Sequence, residues 1–182
     1  MSATNEVTTK KALAINLDPK LYGTFAEIGA GQEVVRHFFQ AGLASQTIAK
    51  TISAYDMTIS DEIYGAVGRY VCLERLEKML QHEFDLLQSR LASSRGAESQ
   101  FFVFADTVTT KNRSRGETQS HGWLGMRFQL RPNGPINEIV LHMRLWDRSR
   151  LQQQETLGVF GVNFTNAAFY KTSDVSEFVA SL

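Results

Sequence analysis

Three carboxylates lie where the sequence predicts the ends of regular elements: Glu27, Asp56 and Asp106. Asp106 stands inside an apolar run, residues 101–108, where an ionised carboxylate without a partner is costly to bury. Open α/β sheets place ligands at one edge, and carboxylate oxygens are ligands that Mg²⁺ prefers. We therefore expect the three to converge as catalytic acids, with magnesium as the ion they would hold. Alternatively, Asp106 ends its strand by bonding the following turn, and the other two cap helices.

A second group of residues that could take part in catalysis or binding lies on a predicted hairpin: His121, Arg127, His142 and Arg144. With Asn133-Gly134 as the turn, Phe128 pairs with Ile139, Met126 with Leu141, and Leu124 with Met143. These apolar partners then share one face, whereas Trp123, Arg127, His142 and Arg144 lie on the other, mixed face, and His121 lies at the strand entrance. A histidine beside arginines protonates less readily and could serve as a base or contact an anion. The alternative is a surface strand without chemistry, in which Trp123 and Arg144 form a cation–π pair.

A glycine pair, Gly29 and Gly31, precedes a predicted helix and resembles a phosphate-binding loop, since free N–H groups at a helix start attract anions. The third glycine of a dinucleotide-binding motif would fall at Val34, which favours an ordinary turn. A polar loop over residues 111–120 adds the cations Lys111, Arg113 and Arg115. The sequence contains no Walker A loop, nucleophile elbow or His-Glu-x-x-His helix.

The elements that must position these residues predict an α/β fold: a mixed sheet of about five strands with flanking helices and an antiparallel C-terminal hairpin. Alternating or continuous apolar runs predict strands over residues 12–18, 48–55 and 101–108, besides the hairpin. Apolar residues at helical spacing predict helices over residues 31–41, 73–91 and 151–170. The third helix contains Gly158 and Gly161, which close packing of another backbone would explain. A short amphipathic segment, residues 174–182, follows.

Composition limits the classes of function. Lys and Arg together number 19, as do Asp and Glu, so no overall field attracts nucleic acid, and we expect no nucleic-acid partner. A single cysteine, Cys72, favours a reducing compartment. No apolar segment has the length of a signal peptide or of a membrane helix, about 20 residues. We expect a cytoplasmic protein with a flexible tail, residues 1–11, and one domain, residues 12–182.

Several short segments of the sequence resemble an uncharacterised bacterial family whose members often carry the labels nicotinate-nucleotide adenylyltransferase or TonB-dependent receptor. They span nearly the whole chain: residues 11–20, 22–34, 52–57, 101–108 and 121–123. Members of that family are longer, so the resemblance implies that residues 12–182 form the N-terminal part of a longer pattern. The residues support neither label, because the paired histidines of an adenylyltransferase and the many strands of an exported barrel are missing.

Two functions from different classes follow. In the first, the domain binds or acts on a phosphate-bearing small molecule, with Glu27, Asp56 and Asp106 as acids. His121, Arg127, His142 and Arg144 would contact the anion. In the second, the chain is a non-catalytic, self-associating structural or scaffold subunit, and a homo-oligomer is expected. Its contact surfaces would be the mixed face of the hairpin and residues 174–182.

Overall fold

The computed structural model describes residues 3–111 and 120–182, and these form an α/β fold around a five-stranded mixed sheet. The predicted fold class is confirmed. The strand order is β2-β1-β3-β4-β5; β1 pairs in parallel with β2 and β3, and β4 pairs antiparallel with β3 and β5. The strands are β1 (Leu21–Gly29), β2 (Ile48–Ala54), β3 (Gln100–Thr109), β4 (His121–Gln129) and β5 (Ile136–Arg144). The helices are α1 (Ala3–Asn16), α2 (Val34–Ala41), α3 (Met57–Tyr64), α4 (Leu73–Arg95), α5 (Arg150–Tyr170) and α6 (Val175–Ser181).

The predicted strand over residues 12–18 is wrong, because this part of the chain belongs to α1, which begins at Ala3. The alternation of apolar residues suggested a strand, yet Thr8, Ala12 and Ile15 are the buried ones, and they recur at helical spacing. The Asn16 amide donates to the carbonyl oxygens of Phe38 and Gly42, at 2.8 and 2.7 Å. These bonds tie the end of α1 to the end of α2.

The true first strand, β1, lies in a stretch where the residue pattern predicted neither a strand nor a helix. This strand contains polar residues and glycines, yet it is buried along nearly all of its length between β2 and β3. Gly23 permits the approach of β3, since a Cβ there would lie 2.4 Å from the carbonyl oxygen of Phe102. Phe25 packs against the rings of Phe38 and Phe104, with centroids 4.8 and 5.5 Å apart.

The hairpin has its predicted faces but not its predicted pairs. Phe128 lies opposite Asn137, Met126 opposite Ile139 and Leu124 opposite Leu141, a shift of two residues. The turn is centred on Pro132 and Asn133, because Gly134 N–H bonds the Arg131 carbonyl and Asn133 takes the left-handed φ of 53°. Proline suits the first central position of such a turn. A shift of two residues preserves every side chain's face, whereas a shift of one would reverse them all.

Helices cover both faces of the sheet. One face, here called the α5 face, packs Phe25, Phe104 and Met126 against α1, α2 and α5. The other, the α4 face, packs the stripe Leu76, Leu80, Phe84 and Leu87 of α4 against the sheet. The predicted helices over residues 31–41, 73–91 and 151–170 are confirmed, with small differences at their ends. None of the helices in the described part of the chain has the length and hydropathy that crossing a membrane requires.

The C-terminal helix α6 docks on its own chain. Phe178 and Leu182 pack against the core of the α5 face, while Val175 and Val179 are exposed. The Asn163 amide donates to the Leu182 carbonyl oxygen at 2.8 Å. Asp174 caps this helix through the N–H groups of Ser176 and Glu177. The apolar stripe predicted over residues 174–182 is therefore divided between core and solvent.

We expect Gly161→Ala to destabilise the protein by about 1–3 kcal/mol, because α2 packs its side chains directly on this glycine. A Cβ at position 161 would lie 2.3 Å from Cγ2 of Val34. Helix propensity alone predicts the opposite sign, a gain of about 1 kcal/mol. Urea denaturation measures the difference. Gly68→Ala, which would meet nothing within 4 Å, is the control and should change stability by less than about 0.5 kcal/mol. Equal stability of Gly161→Ala and wild type would contradict the packing described.

Candidate functional site

A pocket opens at the carboxyl ends of the parallel strands, where chain connections diverge. From β1 the chain passes through α2 to β2 on one side, whereas from β3 it continues to β4 on the other side. Such a divergence leaves a crevice above the strand ends, which is the usual ligand position in open α/β sheets. The cavity measures about 220 Å³. Its lining is Gly29, Ala30, Gln32, Glu33, Tyr55, Thr110, Arg150 and Gln154.

Two elements form the walls of this pocket, which we call the β1–α2 pocket. The first is the loop after β1, where Gly29 takes the left-handed φ of 79° and Ala30 N–H bonds the Val108 carbonyl oxygen at 3.0 Å. The second is the start of α5, where Arg150 and Gln154 lie one turn apart on the same side. The Gln154 amide donates to the Ala30 carbonyl oxygen at 3.3 Å, which joins the two walls.

The carboxyl group of Glu27, on β1, caps the start of α2. Its Oε1 accepts the N–H of Val34 at 2.7 Å, and its Oε2 accepts the N–H of Val35 at 3.3 Å. Glu33, the residue at the N-cap of α2, makes no capping hydrogen bond through its side chain. A carboxylate from the sheet thus satisfies N–H groups that a helix start otherwise leaves unpaired, and it also favours the positive end of the helix dipole.

Asp106 lies directly beside Glu27, since the two are partners in the β1–β3 register. Asp106 is fully buried, and neither of its carboxyl oxygens makes a well-formed hydrogen bond among the described residues. Its Oδ1 packs on Gly31, where an added Cβ would lie only 2.5 Å away. The glycine after β1 thus permits the loop to close over a buried carboxyl group, and it does not need to bind phosphate.

Burial dominates the protonation of this pair. Removal from water raises the pKa of Glu27 to about 7, although the Val34 and Val35 N–H groups oppose the change. Burial, followed by the neighbouring Glu27, raises the pKa of Asp106 well above its usual range, and a weak interaction with Ile28 N–H offsets only part of the rise. Two close carboxyl groups do not both ionise in such surroundings, so the pair retains a proton near neutral pH.

The third predicted acid, Asp56, has a different role. It is the N-cap of α3, and its Oδ1 accepts the N–H groups of Thr58 and Ile59 at 3.0 and 3.3 Å. Within residues 3–111 and 120–182, no three His, Cys, Asp or Glu side chains are arranged to hold a metal ion. The structure therefore brings Glu27 and Asp106 together but does not join Asp56 to them as a three-carboxylate magnesium site.

The predicted basic residues lie on the α4 face and do not line the β1–α2 pocket. Arg127 pairs with Glu138, its neighbour in the β4–β5 register, at 2.6 Å, and its guanidinium lies over Phe84. His121 and His142 are hydrogen-bonded through ring nitrogens 3.2 Å apart, and Trp123 stacks on His142. The expected Trp123–Arg144 pairing is wrong, because the shifted register places Arg144 opposite His121. The pKa of His121 is lowered first by burial and then by the charges of His142, Arg144 and Arg69, which favours the neutral imidazole.

Of the residues that line the pocket, the sequence pointed only to Gly29, and it gave no indication of Arg150 and Gln154 as binding residues. A signal was present, since Ser149 and Gln152 form a capping box that fixes the start of α5 and hence the direction of both side chains. Of the predicted cationic loop, Lys111 bonds the Gln153 side chain and the Arg148 carbonyl oxygen. Arg113 and Arg115 lie outside the described residues.

We expect Asp106→Asn to remove much of the pH dependence of stability between pH 5 and pH 8. The unfolded chain loses the Asp106 and Glu27 protons near their ordinary pKa values, whereas the folded chain retains them to higher pH. The free energy of unfolding should therefore be highest at low pH and decrease as pH rises through the raised pKa values. Each unit of raised pKa corresponds to about 1.4 kcal/mol.

Chemical denaturation at several pH values measures this slope. Asp106→Asn should be more stable than wild type at pH 8 and similar to it at pH 5. The matched control is Asp56→Asn, which preserves the exposed cap and should leave the slope unchanged. An unaltered slope in Asp106→Asn would show that the buried carboxyl group is not the source.

Comparison with known proteins shows the fold. No protein-family model matches the chain, and no curated protein matches it in sequence. Among solved structures, the competence/damage inducible protein CihA from Agrobacterium tumefaciens has a TM-score of 0.67 at 14% identity, over 92% of this chain and 96% of that one. A competence or damage-inducible protein from Enterobacter asburiae gives 0.64 at 14%, over 92% and 99%. A competence-damaged protein (CinA) superfamily protein from Klebsiella pneumoniae gives 0.63 at 13%, over 91% and 96%.

These neighbours correct the resemblance drawn from the sequence. The family labelled nicotinate-nucleotide adenylyltransferase or TonB-dependent receptor is the wrong assignment, because solved structures that share this architecture are described as competence/damage-inducible proteins. The resemblance followed short strings, whereas the structural match extends over nine-tenths of the chain. The chain has the fold of the competence/damage-inducible (CinA) proteins.

Proposed function

We propose that this protein binds a small phosphate-bearing molecule in the β1–α2 pocket. The observation that carries the proposal is the position of Arg150, a cation on the wall of a largely polar pocket at the point where the connections of β1 and β3 diverge. Arg150 is exposed, and no ion pair or hydrogen bond of its guanidinium is found among the described residues. A free guanidinium presents several N–H donors in a geometry that suits phosphate oxygens.

The charged side chains around the pocket are compatible with the binding of an anion. The one acidic side chain in its lining is that of Glu33, and this carboxylate is paired with Arg36 at 2.8 Å. Thr110, Gln32 and Gln154 supply hydroxyl and amide groups that can donate to phosphate oxygens. The nearest buried carboxyls, Glu27 and Asp106, lie beneath the loop and retain a proton, which reduces their repulsion.

The volume suggests what part of the ligand is enclosed. A cavity of about 220 Å³ is smaller than the ~300–1,000 Å³ that is usual for drug-sized ligands. We infer that the pocket encloses the phosphate group of the ligand and that the remainder lies towards Tyr55, a residue that is 73% exposed. A flat exposed ring suits stacking with a base or another planar group.

Glu27 and Asp106 act in this proposal as positioning residues. Glu27 fixes the start of α2, and Asp106 supports Gly31, so together they set the shape of the loop that forms one wall.

The single cysteine suggests the compartment in which the protein works. The thiol of Cys72 is free, and we infer from it a reducing compartment, the cytoplasm.

The second function, a self-associating structural subunit, retains part of each surface first expected. On the mixed face of the hairpin, α4 packs over β4 at Gly125, which lies against Leu80 and Leu76, whereas His142 and Arg144 of β5 are exposed. Residues 174–182 contact their own chain through Phe178 and Leu182. The remaining observation in favour of this function is the open edge of the sheet, considered below.

We expect Arg150→Gln to weaken binding of a phosphomonoester at least about tenfold, since a hydrogen bond to a charged group contributes about 1.5–3 kcal/mol. Isothermal titration calorimetry with inorganic phosphate, ribose 5-phosphate and AMP measures the affinity, and adenosine is the uncharged comparison. Arg148→Gln removes an exposed cation close in sequence that does not line the pocket, and it should bind like wild type. Equal binding of AMP and adenosine, or of wild type and Arg150→Gln, would overturn the proposal.

A further inference from the structure

The strand β5 is an open edge of the sheet. It has nine residues and pairs only with β4 among the described strands. Natural edge strands are usually protected by proline, charged side chains, a bulge or a covering element, because unpaired backbone N–H and C=O groups otherwise pair with another strand. The β5 sequence contains no proline, lysine or glycine, and its charged side chains are those of Glu138 and Arg144, which have opposite signs. Its pairing with β4 runs without a bulge from Ile136 to Arg144.

The sequence of this edge is complementary to itself. When two copies run antiparallel with Leu141 opposite Leu141, Glu138 lies opposite the partner's Arg144, and Arg144 opposite the partner's Glu138. The same register places Ile139 opposite Met143 and Val140 opposite His142. Opposite charges directly across a strand pair stabilise it, as do apolar pairs.

Other registers lack this match. Only shifts by an even number of residues keep the two faces of the sheet aligned. Sliding the partner by two residues places Glu138 opposite His142 in one direction and opposite Trp146 in the other. Further slides bring Glu138 against its own copy, or Arg144 against its own copy, and like charges directly opposite destabilise a pair. One register is therefore favoured over its neighbours.

Two features of the single chain gain partners in this arrangement. Arg144 is exposed and makes no ion pair among the described residues, while its influence on His121 is repulsive. Glu138 already contacts Arg127 on the β4 side and would contact a second arginine on the open side. Trp146 is 80% exposed and Ile136 is 43% exposed, and the register brings each beside the other. Burying a tryptophan is a large apolar gain for an interface.

We propose that two copies of this chain associate through antiparallel pairing of β5, with the two-fold axis at Leu141, to form one continuous sheet of both subunits. Glu138 and Arg144 set the register through two symmetric ion pairs. Each subunit uses its β5 edge once, so the assembly closes as a dimer. The interface does not include the β1–α2 pocket, so the dimer is independent of the ligand proposed above.

Charge reversal tests the pairing and its register together. Arg144→Glu places two acidic side chains opposite each other at both ends of the interface, and Glu138→Arg places two basic ones there. Sedimentation velocity over a range of concentrations should show a dimer for wild type and at least about tenfold weaker association for each variant alone. An equimolar mixture of the two variants should associate again, because each acidic position then faces a basic one.

Arg148→Glu, an equal change of charge outside the strand, is the control and should leave the dimer intact. Circular dichroism and urea denaturation show whether each variant retains its fold, and the mixing experiment remains informative because restoration requires folded partners. A monomeric wild type would overturn the proposal. So would a dimer that neither variant weakens, or two variants that fail to associate when mixed although both are folded.

Discussion

The structure depends on a buried pair of carboxyl groups between two central strands. Glu27 reaches from β1 to the first N–H groups of α2, which has no side-chain cap of its own. Asp106 on β3 lies beside it, out of contact with water. Burying two acids is costly, but Glu27 gains two backbone donors and the helix dipole, and a retained proton removes most of the repulsion. These contacts fix β1, the start of α2 and the loop between them in one arrangement.

The pocket follows from this constraint and from the crossing of two helices. With α2 fixed at its start, Gly161 and Gly158 of α5 lie against Val34 and His37 of α2, so α5 passes close to the β1–α2 loop. This closeness brings Gln154 to the Ala30 carbonyl oxygen and places Arg150 at the rim. A residue with a Cβ at either glycine would displace one wall of the pocket from the other. Helix packing therefore determines the shape of the site.

The two proposed surfaces use different parts of the same sheet. The β1–α2 pocket uses the ends of parallel strands, where backbone groups and side chains face a crevice. The dimer uses the side of β5, where backbone groups face outward along the strand. Between them lie β3, which is buried along nearly all of its length, and β4, which is buried on the α5 face. The centre of the sheet thus separates the proposed ligand site from the proposed interface.

The residue pattern is sufficient to predict the class of fold, the long helices, the buried strand β3 and the side of the hairpin on which each residue lies. Those properties follow from local periodicity, which a single chain segment carries. It did not predict α1, because the alternation of Leu13, Ile15 and Leu17 indicates a strand, whereas the helix buries Thr8, Ala12 and Ile15 and leaves Leu17 exposed. Nor did it reveal β1, whose burial is imposed by neighbours far away in the sequence.

Which of the acids lie together is determined by the tertiary fold. Glu27 and Asp106 become neighbours through the parallel register of strands that are separated by two helical connections, while Asp56 caps a helix. It also placed Arg150 at the pocket, since α5 reaches the β1–α2 loop only after folding over the sheet. Periodicity records which face a residue occupies, but the register between distant strands and the crossing of helices depend on packing of the whole chain.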